Sequence, residues 1–140
     1  MASRSLEVLM RQRLASSEKR YLQHARVCRV GSVDRRGVVH TAPLCHAFDP
    51  GTRTAYVATD GVTAANLRAR PRAALECDDY HEDWDTLKGV VAKVRARFVR
   101  DRRERDRAAR LLRRKFRQYR DTEFGTIIAL RVENIASWGL

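Results

Sequence analysis

The sequence predicts a mainly β fold, a small six-stranded antiparallel barrel with flanking helices. Two observations predict it. Six short apolar-rich stretches typical of strands occur in the chain, with few helical segments between them. The chain has 140 residues, of which 44% are hydrophobic, enough for one domain with one core. The length therefore excludes separate cofactor and substrate domains, and the composition excludes a disordered chain.

The N-terminal residues predict helices. The helical spacing of four apolar residues predicts an amphipathic helix over residues 5–14. These residues are Leu6, Leu9, Met10 and Leu14. We interpret Ser16-Ser17-Glu18 as a break, followed by a second short helix from Tyr21 to about His24. The chain then divides into a helical extension, residues 1–17, and a β domain, residues 18–140. The charged residues interspersed through the first 14 positions are not typical of a secretory signal.

Six strands follow, each bounded by turn signals. The predicted strands are residues 27–33, 38–48, 54–59, 73–78, 89–99 and 126–135. Asp34-Arg35-Arg36-Gly37 predicts a hairpin turn, because glycine readily adopts positive φ. Pro43 inside the second strand predicts a sheet edge or a bulge, because proline donates no backbone hydrogen bond. Short turns between the first three strands indicate an antiparallel meander.

Strict alternation along the fifth strand predicts one buried and one polar face. The face expected in the core carries Val90, Ala92, Val94, Ala96 and Phe98. The other face carries Val91, Lys93, Arg95, Arg97 and Val99. It is polar enough to face solvent, a ligand or a partner. A short helix is expected over residues 63–70, stopped by Pro71, and the longest helix over residues 101–120. An apolar stripe that includes Leu112 and Phe116 predicts that the longest helix packs on the barrel.

The chain is strongly basic, with 29 Lys+Arg against 17 Asp+Glu and a net charge of +12. Such an excess can be a footprint for nucleic acid, but a bias toward arginine can also reflect genome base composition. Residues 100–120 supply +8 of it, and the aromatic residues there, Phe116 and Tyr119, fall on the apolar stripe. We therefore expect a solvated helix and no nucleic-acid partner, with the charge favouring solubility and anionic small ligands.

Several kinds of chemistry find no motif in this sequence. The phosphate-loop, dinucleotide and nucleophile-elbow patterns are all absent. The acidic run from Asp78 to Asp85 fits no zinc or calcium template, so no metal site is expected. No apolar run is long enough to span a membrane. Cys28, Cys45 and Cys77 are odd in number and far apart, which predicts buried, unreactive thiols and a cytoplasmic location.

Two histidines on the second strand remain open in role. His40 and His46 are six residues apart, so they share one face of the strand if no bulge intervenes. Each can be interpreted as a proton donor, a ligand or a polar pocket wall, or as a side chain that faces solvent or a dimer partner.

The order of the elements carries a family resemblance. Residues 25–44 hold an apolar strand, a D-x-x-G turn and a strand ending in Pro-Leu. Thr59 leads through Asn66-Leu67 to Pro71, and Asp79-Tyr80 leads through Glu82-Asp83-Trp84 to Leu87. With this order and a terminal strand carrying Trp138, residues 18–138 resemble the pyridoxamine 5′-phosphate oxidase-like split β-barrel proteins. More narrowly, they resemble the small flavin- or deazaflavin-dependent oxidoreductases of that group.

The resemblance implies a homodimer with a cofactor site in each groove between subunits, and a flavin-binding type of barrel over residues 18–140. The cofactor would be FMN or a deazaflavin coenzyme, its ring lying against the second and third strands. The implied cofactor-binding residues are Pro43, Leu44, Thr59, Thr63, Asn66, Arg95, Arg97 and Trp138. Backbone groups near Pro43 and Leu44 would contact the ring, while the helix start after Thr59 would hold the phosphate.

The sequence departs from the family pattern in one respect. Family members that bind flavin phosphate tightly carry a Lys or Arg just before the Asn-Leu pair, but residues 61–65 hold neither. The resemblance implies hydride transfer between the cofactor and a small organic substrate, with His46 or Tyr80 as candidates to assist protonation. The alternative is a non-catalytic binding protein for flavin, haem or another planar ligand on the same scaffold. For haem, the axial candidates are His40 and His46.

Overall fold

A computed structural model describes residues 10–140 and shows a closed, six-stranded antiparallel barrel with the strand order β1-β2-β3-β6-β5-β4. The strands are β1 (Val27–Val33), β2 (Val39–Asp49), β3 (Thr54–Ala58), β4 (Arg72–Asp79), β5 (Lys88–Phe98) and β6 (Ile127–Trp138). The helices are α1 (Ser16–His24), α2 (Val62–Ala69) and α3 (Arg102–Lys115). The predicted mainly β, six-stranded fold is confirmed. No helix within residues 10–140 is long and apolar enough to cross a membrane.

The strands β2 and β6 each pair with two neighbours over partly different residues, which allows the sheet to close. In β2, residues 39–45 pair with β1 and residues 46–49 pair with β3. In β6, residues 127–131 pair with β3, while most of the strand pairs with β5 on its other side. A register shift in the β5–β6 pairing between Lys93 and Val94 marks an irregularity that bends the sheet.

The barrel interior is built from alternate residues, as the pattern of β5 predicts. Val90, Ala92, Val94 and Ala96 are buried in the main core, whereas Lys93, Arg95 and Arg97 are exposed. Leu22 of α1 and Leu67 of α2 belong to the same core, so these two helices cover apolar interior. Helix α3 packs on the outside, where smaller apolar clusters form around Tyr56 and Phe116.

Pro43 lies on an open edge of β2. The β1–β2 register runs without a break through the pair Pro43–Arg29, and β2 begins to pair with β3 only at His46. The Asp34 N–H donates to the Val38 carbonyl oxygen at 3.0 Å. Because antiparallel pairs alternate in their hydrogen bonding, counting from that pair places Pro43 in a non-bonded pair. Its missing N–H therefore faces the open side, and the sheet-edge interpretation of Pro43 is correct.

The segment before the barrel differs from the prediction. Residues 10–14 are not helical, because the backbone of Arg11 exchanges hydrogen bonds of 2.9 and 2.8 Å with Ile135 of β6. Leu14 is buried in the main core. Residues 5–9 of the predicted helix lie outside the described residues. Helix α1 starts at Ser16 rather than at Tyr21, so the predicted break at residues 16–18 is instead the first turn of this helix.

Glu18 explains that early helix start. Its side chain is fully buried, and its Oε1 accepts a hydrogen bond from the Ala15 N–H at 2.7 Å. Its Oε2 accepts from Arg11 Nη2 and from Ser137 Oγ, each at 2.6 Å. Burial alone would raise the pKa of this carboxyl, but the hydrogen bonds from Ser137, Ala15 and Arg11 outweigh it and lower the pKa. The carboxylate therefore fastens α1 to β6.

Helix α3 is shorter than predicted. It ends at Lys115 rather than at residue 120, because Phe116 takes an extended backbone (φ −120°, ψ 115°) and buries its ring. A short turn, Arg117–Tyr119, follows, and the Tyr119 ring meets the Phe116 ring edge-on at 5.8 Å. Burial of the Phe116 ring outweighs continuation of the helix.

We expect Glu18→Gln to destabilise the protein by about 1–3 kcal/mol at pH 7, because buried donors lose a charged acceptor. A carboxyl whose folded pKa is lowered contributes stability above its unfolded pKa, and this contribution is lost as the pH falls through the folded value. The difference between variant and wild type should therefore shrink from pH 7 to pH 3, measured by urea unfolding. Glu123→Gln, at an exposed position, is the control. An equal difference at both pH values would contradict the role of the carboxylate.

We expect Gly89→Ala to destabilise the barrel by about 1–3 kcal/mol, because a Cβ there has no room. It would lie 2.4 Å from the Trp138 ring and 2.7 Å from the Cys77 carbonyl oxygen. Gly31→Ala is the matched control, since its Cβ would meet nothing closer than 4.0 Å. Thermal unfolding should show a lower Tm for the first variant alone; equal Tm values would contradict this packing.

Candidate functional site

A groove of about 730 Å³ lies on the outside of the barrel, between α2, the end of β5 and the start of β6. Four arginines line it, and no carboxylate does. These are Arg68, Arg97, Arg100 and Arg105. The guanidinium of Arg68 lies 4.5 Å from the centre of the Phe98 ring, which holds it in place. We call this cavity the arginine groove; its charge suits an anionic group.

Two shallower depressions continue from the arginine groove. The first, of about 490 Å³, shares Pro71 with it and adds Arg70, Arg72 and Arg95. The second, of about 370 Å³, shares Arg72 and has a largely apolar floor. Part of that floor is formed by Gly31 and Ala74, which are partners across β1 and β4 and leave the surface flat. We call the three together the outer channel; it joins an apolar floor to a cationic groove.

Arg97, one of the predicted phosphate ligands, is already paired. Its two terminal nitrogens donate to Glu104 at 2.6 and 2.8 Å, and Glu104 also accepts from the Tyr56 hydroxyl at 2.8 Å. The hydrogen bonds from Arg97 contribute most to lowering the pKa of Glu104, to about 2, so the pair stays ionised. The charge of Arg97 is largely neutralised. Arg95 is exposed and, within residues 10–140, has no carboxylate at salt-bridge distance.

The predicted phosphate donors on α2 face inward. Thr63 and Asn66 are 3% and 5% exposed, and the Asn66 amide donates to Ser32 Oγ at 3.1 Å. Asn66 thereby fastens α2 to β1, and both side chains are buried in this conformation. That Thr63 and Asn66 hold a phosphate stays a prediction. Thr59 is half-buried just after β3. Residues 61–65 carry no cation, but Arg68, on the same helix, lines the arginine groove.

The register of β2 shows which backbone groups near Pro43 and Leu44 lie at its open edge. Leu44 is half-buried and packs against the main core. The alternation of pairs along β1–β2 turns its N–H toward β1. The same alternation presents the N–H groups of Thr41 and Cys45 and the carbonyl of Pro43 at the open edge. Backbone donors at this edge therefore belong to Thr41 and Cys45, which flank Pro43 and Leu44. That these groups contact a cofactor ring stays a prediction.

Trp138 lies far from the arginine groove. It pairs with Gly89 at the start of β5, whereas Arg97 pairs with Ala129 near its end. At about 3.3 Å per residue, Gly89 and Arg97 are roughly 26 Å apart along the strand. The predicted cofactor residues Arg97 and Trp138 therefore lie in distant regions of this chain.

His46 is sealed inside the protein. Its side chain is 0% exposed, its Nε2–H donates to the Leu22 carbonyl at 2.8 Å, and Nδ1 has no partner within residues 10–140. Burial, with help from nearby Lys115, lowers its pKa to about 4, so it is neutral at pH 7. A protonating or haem-ligating His46 would need an access that α1 blocks. His40 is half-buried on the same face of β2, as the spacing predicts.

The remaining candidates are spread over the surface and the core. Tyr80 is 62% exposed, and its hydroxyl accepts from Trp84 Nε1 at 3.4 Å in the acidic loop after β4. Cys28 and Cys77 are buried, and burial raises the pKa of Cys28 to about 12. Cys45 is exposed, contrary to the expectation of a buried thiol. Residues 10–140 contain no group of three or more His, Cys, Asp or Glu side chains arranged to hold a metal ion.

Sequence reasoning missed the groove itself. Arg68, Arg100 and Arg105 come from three separate segments that only the folded barrel brings together. The one local signal was Arg68, which directly follows Asn66-Leu67 in the segment that carries the resemblance.

Known structures share this fold. The conserved hypothetical protein Rv2991 from Mycobacterium tuberculosis is 19% identical with a TM-score of 0.76, and the match covers 91% of this chain and 89% of that one. A FAD-binding protein from Mesorhizobium loti is 20% identical with a TM-score of 0.71, over 92% and 96% of the two chains. The heme storage protein HutZ from Vibrio cholerae is 14% identical with a TM-score of 0.70, over 90% and 94%.

Among curated proteins, none matches this chain. The family model for pyridoxamine 5′-phosphate oxidase, however, matches residues 16–139, from the start of α1 to the end of β6. This range includes every strand of the barrel and all three helices. The chain therefore belongs to the pyridoxamine 5′-phosphate oxidase family.

Proposed function

We propose that the protein binds FMN or a deazaflavin coenzyme in the outer channel and transfers hydride between it and a small organic substrate. The observation that carries this proposal is the arginine groove, a cavity with four guanidinium groups and no carboxylate in its lining, continuous with an apolar floor. A flavin-type cofactor combines a planar apolar ring with an anionic chain. The ring matches the apolar floor, and the anionic chain matches the arginine groove. The FAD-binding protein of the same fold supports this assignment.

The arginines of the groove would hold the phosphate unequally. Arg68 lies over the Phe98 ring and has no hydrogen-bond partner within residues 10–140, whereas Arg97 is paired with Glu104. Arg105 donates to the Gly125 carbonyl at 2.7 Å and so also fixes the loop before β6. Arg68 and Arg100 are therefore the main cations offered to a phosphate, and each charge-assisted hydrogen bond is worth about 1.5–3 kcal/mol. They supply the charge that residues 61–65 lack.

A bound flavin or deazaflavin supplies the hydride chemistry itself. The chain's own residues then have to bind the anion, seat the ring and shape the space for the substrate. The floor at Gly31 and Ala74 suits a ring because small side chains allow close approach. Tyr80 stays a candidate for assisting protonation.

We propose a homodimer, since one protomer does not unite the expected cofactor residues. Trp138 and the arginine groove lie at opposite ends of β5, so a second copy would have to bring its Trp138 to the site. Val38 and Val39, at the tip of the β1–β2 hairpin, are 57% and 71% exposed beside the apolar floor. A partner that covers them would bury apolar surface and complete the site. Three free cysteines fit the reducing cytoplasm, which we propose as the location.

A haem-binding function without catalysis is the second candidate, since the heme storage protein HutZ shares the fold. His46 is unavailable, so the axial ligand on β2 would be His40, which is half-buried one pair from the end of the β1–β2 register. The arginine groove would then hold the haem propionates.

We expect FMN or a deazaflavin to bind in a titration followed by fluorescence, and Arg68→Gln to weaken that binding by about tenfold to a hundredfold through loss of a charge-assisted contact. Arg102→Gln is the control, since it removes the same charge from an exposed position outside the channel. Absence of binding by both cofactors at high micromolar concentration would reject the flavin proposal. Haem binding that is lost in His40→Ala would then favour the second candidate.

We expect light scattering to give a mass of twice the 16.1 kDa of one chain. Val39→Glu should shift this mass toward the monomer and weaken cofactor binding, because a charge would enter the proposed apolar interface. Val62→Glu, at a residue with 57% exposure that lines none of the three depressions, should leave the mass unchanged. A monomeric wild type that binds the cofactor at full strength would refute the shared site.

A further inference from the structure

A second cationic cavity, of about 550 Å³, lies where α3 ends, beside the residues that lead into β1. Cations make up nearly all of its lining. The lining residues are Arg26, Arg113, Arg114, Lys115, Arg117, Gln118 and Arg120. We call it the basic cavity. It shares no lining residue with the outer channel, so it is a separate feature of the surface.

None of the cations of the basic cavity forms a salt bridge with a carboxylate of residues 10–140. Elsewhere on the barrel, arginines such as Arg72 and Arg97 have acidic partners at 3.2 and 2.6 Å. The acids of α3 lie in its first turns, where Asp101 caps the helix and Glu104 holds Arg97. The last turns of α3 therefore present positive charge that the described chain does not compensate.

Three of these cations are held in place by backbone carbonyls. Arg26 Nη2 donates to the Lys115 carbonyl at 2.9 Å, and its guanidinium lies 4.7 Å from the centre of the Phe116 ring. Arg113 Nη2 donates to the Thr122 carbonyl at 2.7 Å, and Lys115 Nζ donates to the carbonyl of Ala25. These contacts fix the walls of the cavity. A guanidinium has five N–H donors, so both arginines keep donors for a ligand.

The other three cations form an adjustable rim. Arg114, Arg117 and Arg120 are exposed, and their side chains make no hydrogen bond with residues 10–140. Arginines pair with phosphate oxygens through two parallel hydrogen bonds, so such a rim can close on phosphate groups.

Lys115, at the buried end of the basic cavity, has a lowered pKa. Burial first, and then the nearby Arg26, lower the pKa of Lys115 to about 8. The thiols of Cys28, Cys45 and Cys77 and the neutral imidazole of His46 are the other titratable groups that face it. Burial raises the pKa of the Cys28 and Cys77 thiols and lowers that of His46, so these three groups supply no negative charge at pH 7. A bound anion would relieve the repulsion that the cavity otherwise retains.

The lining also indicates the kind of anion. It contains no aromatic side chain on which a base could stack, and Arg26 covers the face of the nearby Phe116 ring. The volume is in the range of small-ligand sites rather than of a groove that follows a duplex. Several cations within one small cavity match several negative charges close together. We infer that the basic cavity is a binding site for a small ligand that carries an oligophosphate chain, separate from the proposed cofactor channel.

Calorimetric titration of the full chain with inorganic tripolyphosphate tests this site. The wild type should bind it, and the triple variant Arg114→Gln/Arg117→Gln/Arg120→Gln should bind at least about tenfold more weakly. The matched control is Arg102→Gln/Arg103→Gln/Arg110→Gln, which removes the same charge from exposed positions of α3 outside the cavity. The control should bind like the wild type, and both triples should keep the wild-type circular dichroism spectrum.

Three results would overturn the inference. Failure of the wild type to bind tripolyphosphate would remove the site, and equal weakening in both triple variants would reduce the effect to net charge. Tighter binding of duplex DNA than of tripolyphosphate, weakened in the same triple and falling steeply with salt, would make this a nucleic-acid surface instead. FMN binding should be unchanged in the cavity triple, so failure of the flavin proposal and failure of this one are distinguishable.

Discussion

Pairing between β5 and β6 is the contact on which the rest of this structure depends. It runs from the pair Gly89–Trp138 to the pair Phe98–Ile128 and shifts register once, between Lys93 and Val94. Because side chains of a strand alternate, this pairing decides which residues of β5 enter the barrel and which stay outside. A slip by one position would expose the apolar set and bury the cations, so the closed barrel permits one register. This register places Arg95 and Arg97 outside the barrel, where they form part of the cationic wall of the outer channel.

The ends of the barrel are fixed by buried polar contacts. Glu18 joins α1 to β6, and Asn66 joins α2 to β1. Burying a polar side chain without a hydrogen-bond partner is costly. Because these side chains find their partners in only one position of each helix, the contacts favour that position over shifted ones. Helix α1 in turn covers His46. The docking of α1 and α2 therefore also buries His46, Thr63 and Asn66, three residues that the sequence offered as site candidates.

The strands and turns could be predicted because their signals are local. Gly37 has φ +87° in the hairpin where Asp-x-x-Gly predicts it, and β5 alternates as its sequence does. The conformation of residues 10–14 could not be predicted, since it depends on the pairing of Arg11 with Ile135, a residue 124 positions away. Likewise, whether Thr63 faces a ligand depends on how α2 docks. The groove was not predictable because Arg68, Arg100 and Arg105 meet only after folding.

Pro43 has one more consequence, for the way copies of this chain can associate. Within residues 10–140, residues 39–45 of β2 have a strand neighbour on one side only, and exposed valines adjoin this edge. An uninterrupted edge of that kind would allow another chain to add a strand and to start a growing intermolecular sheet. The pyrrolidine ring removes a donor from the middle of the row and crowds any incoming backbone. Fibre growth by strand addition at this edge is thereby disfavoured.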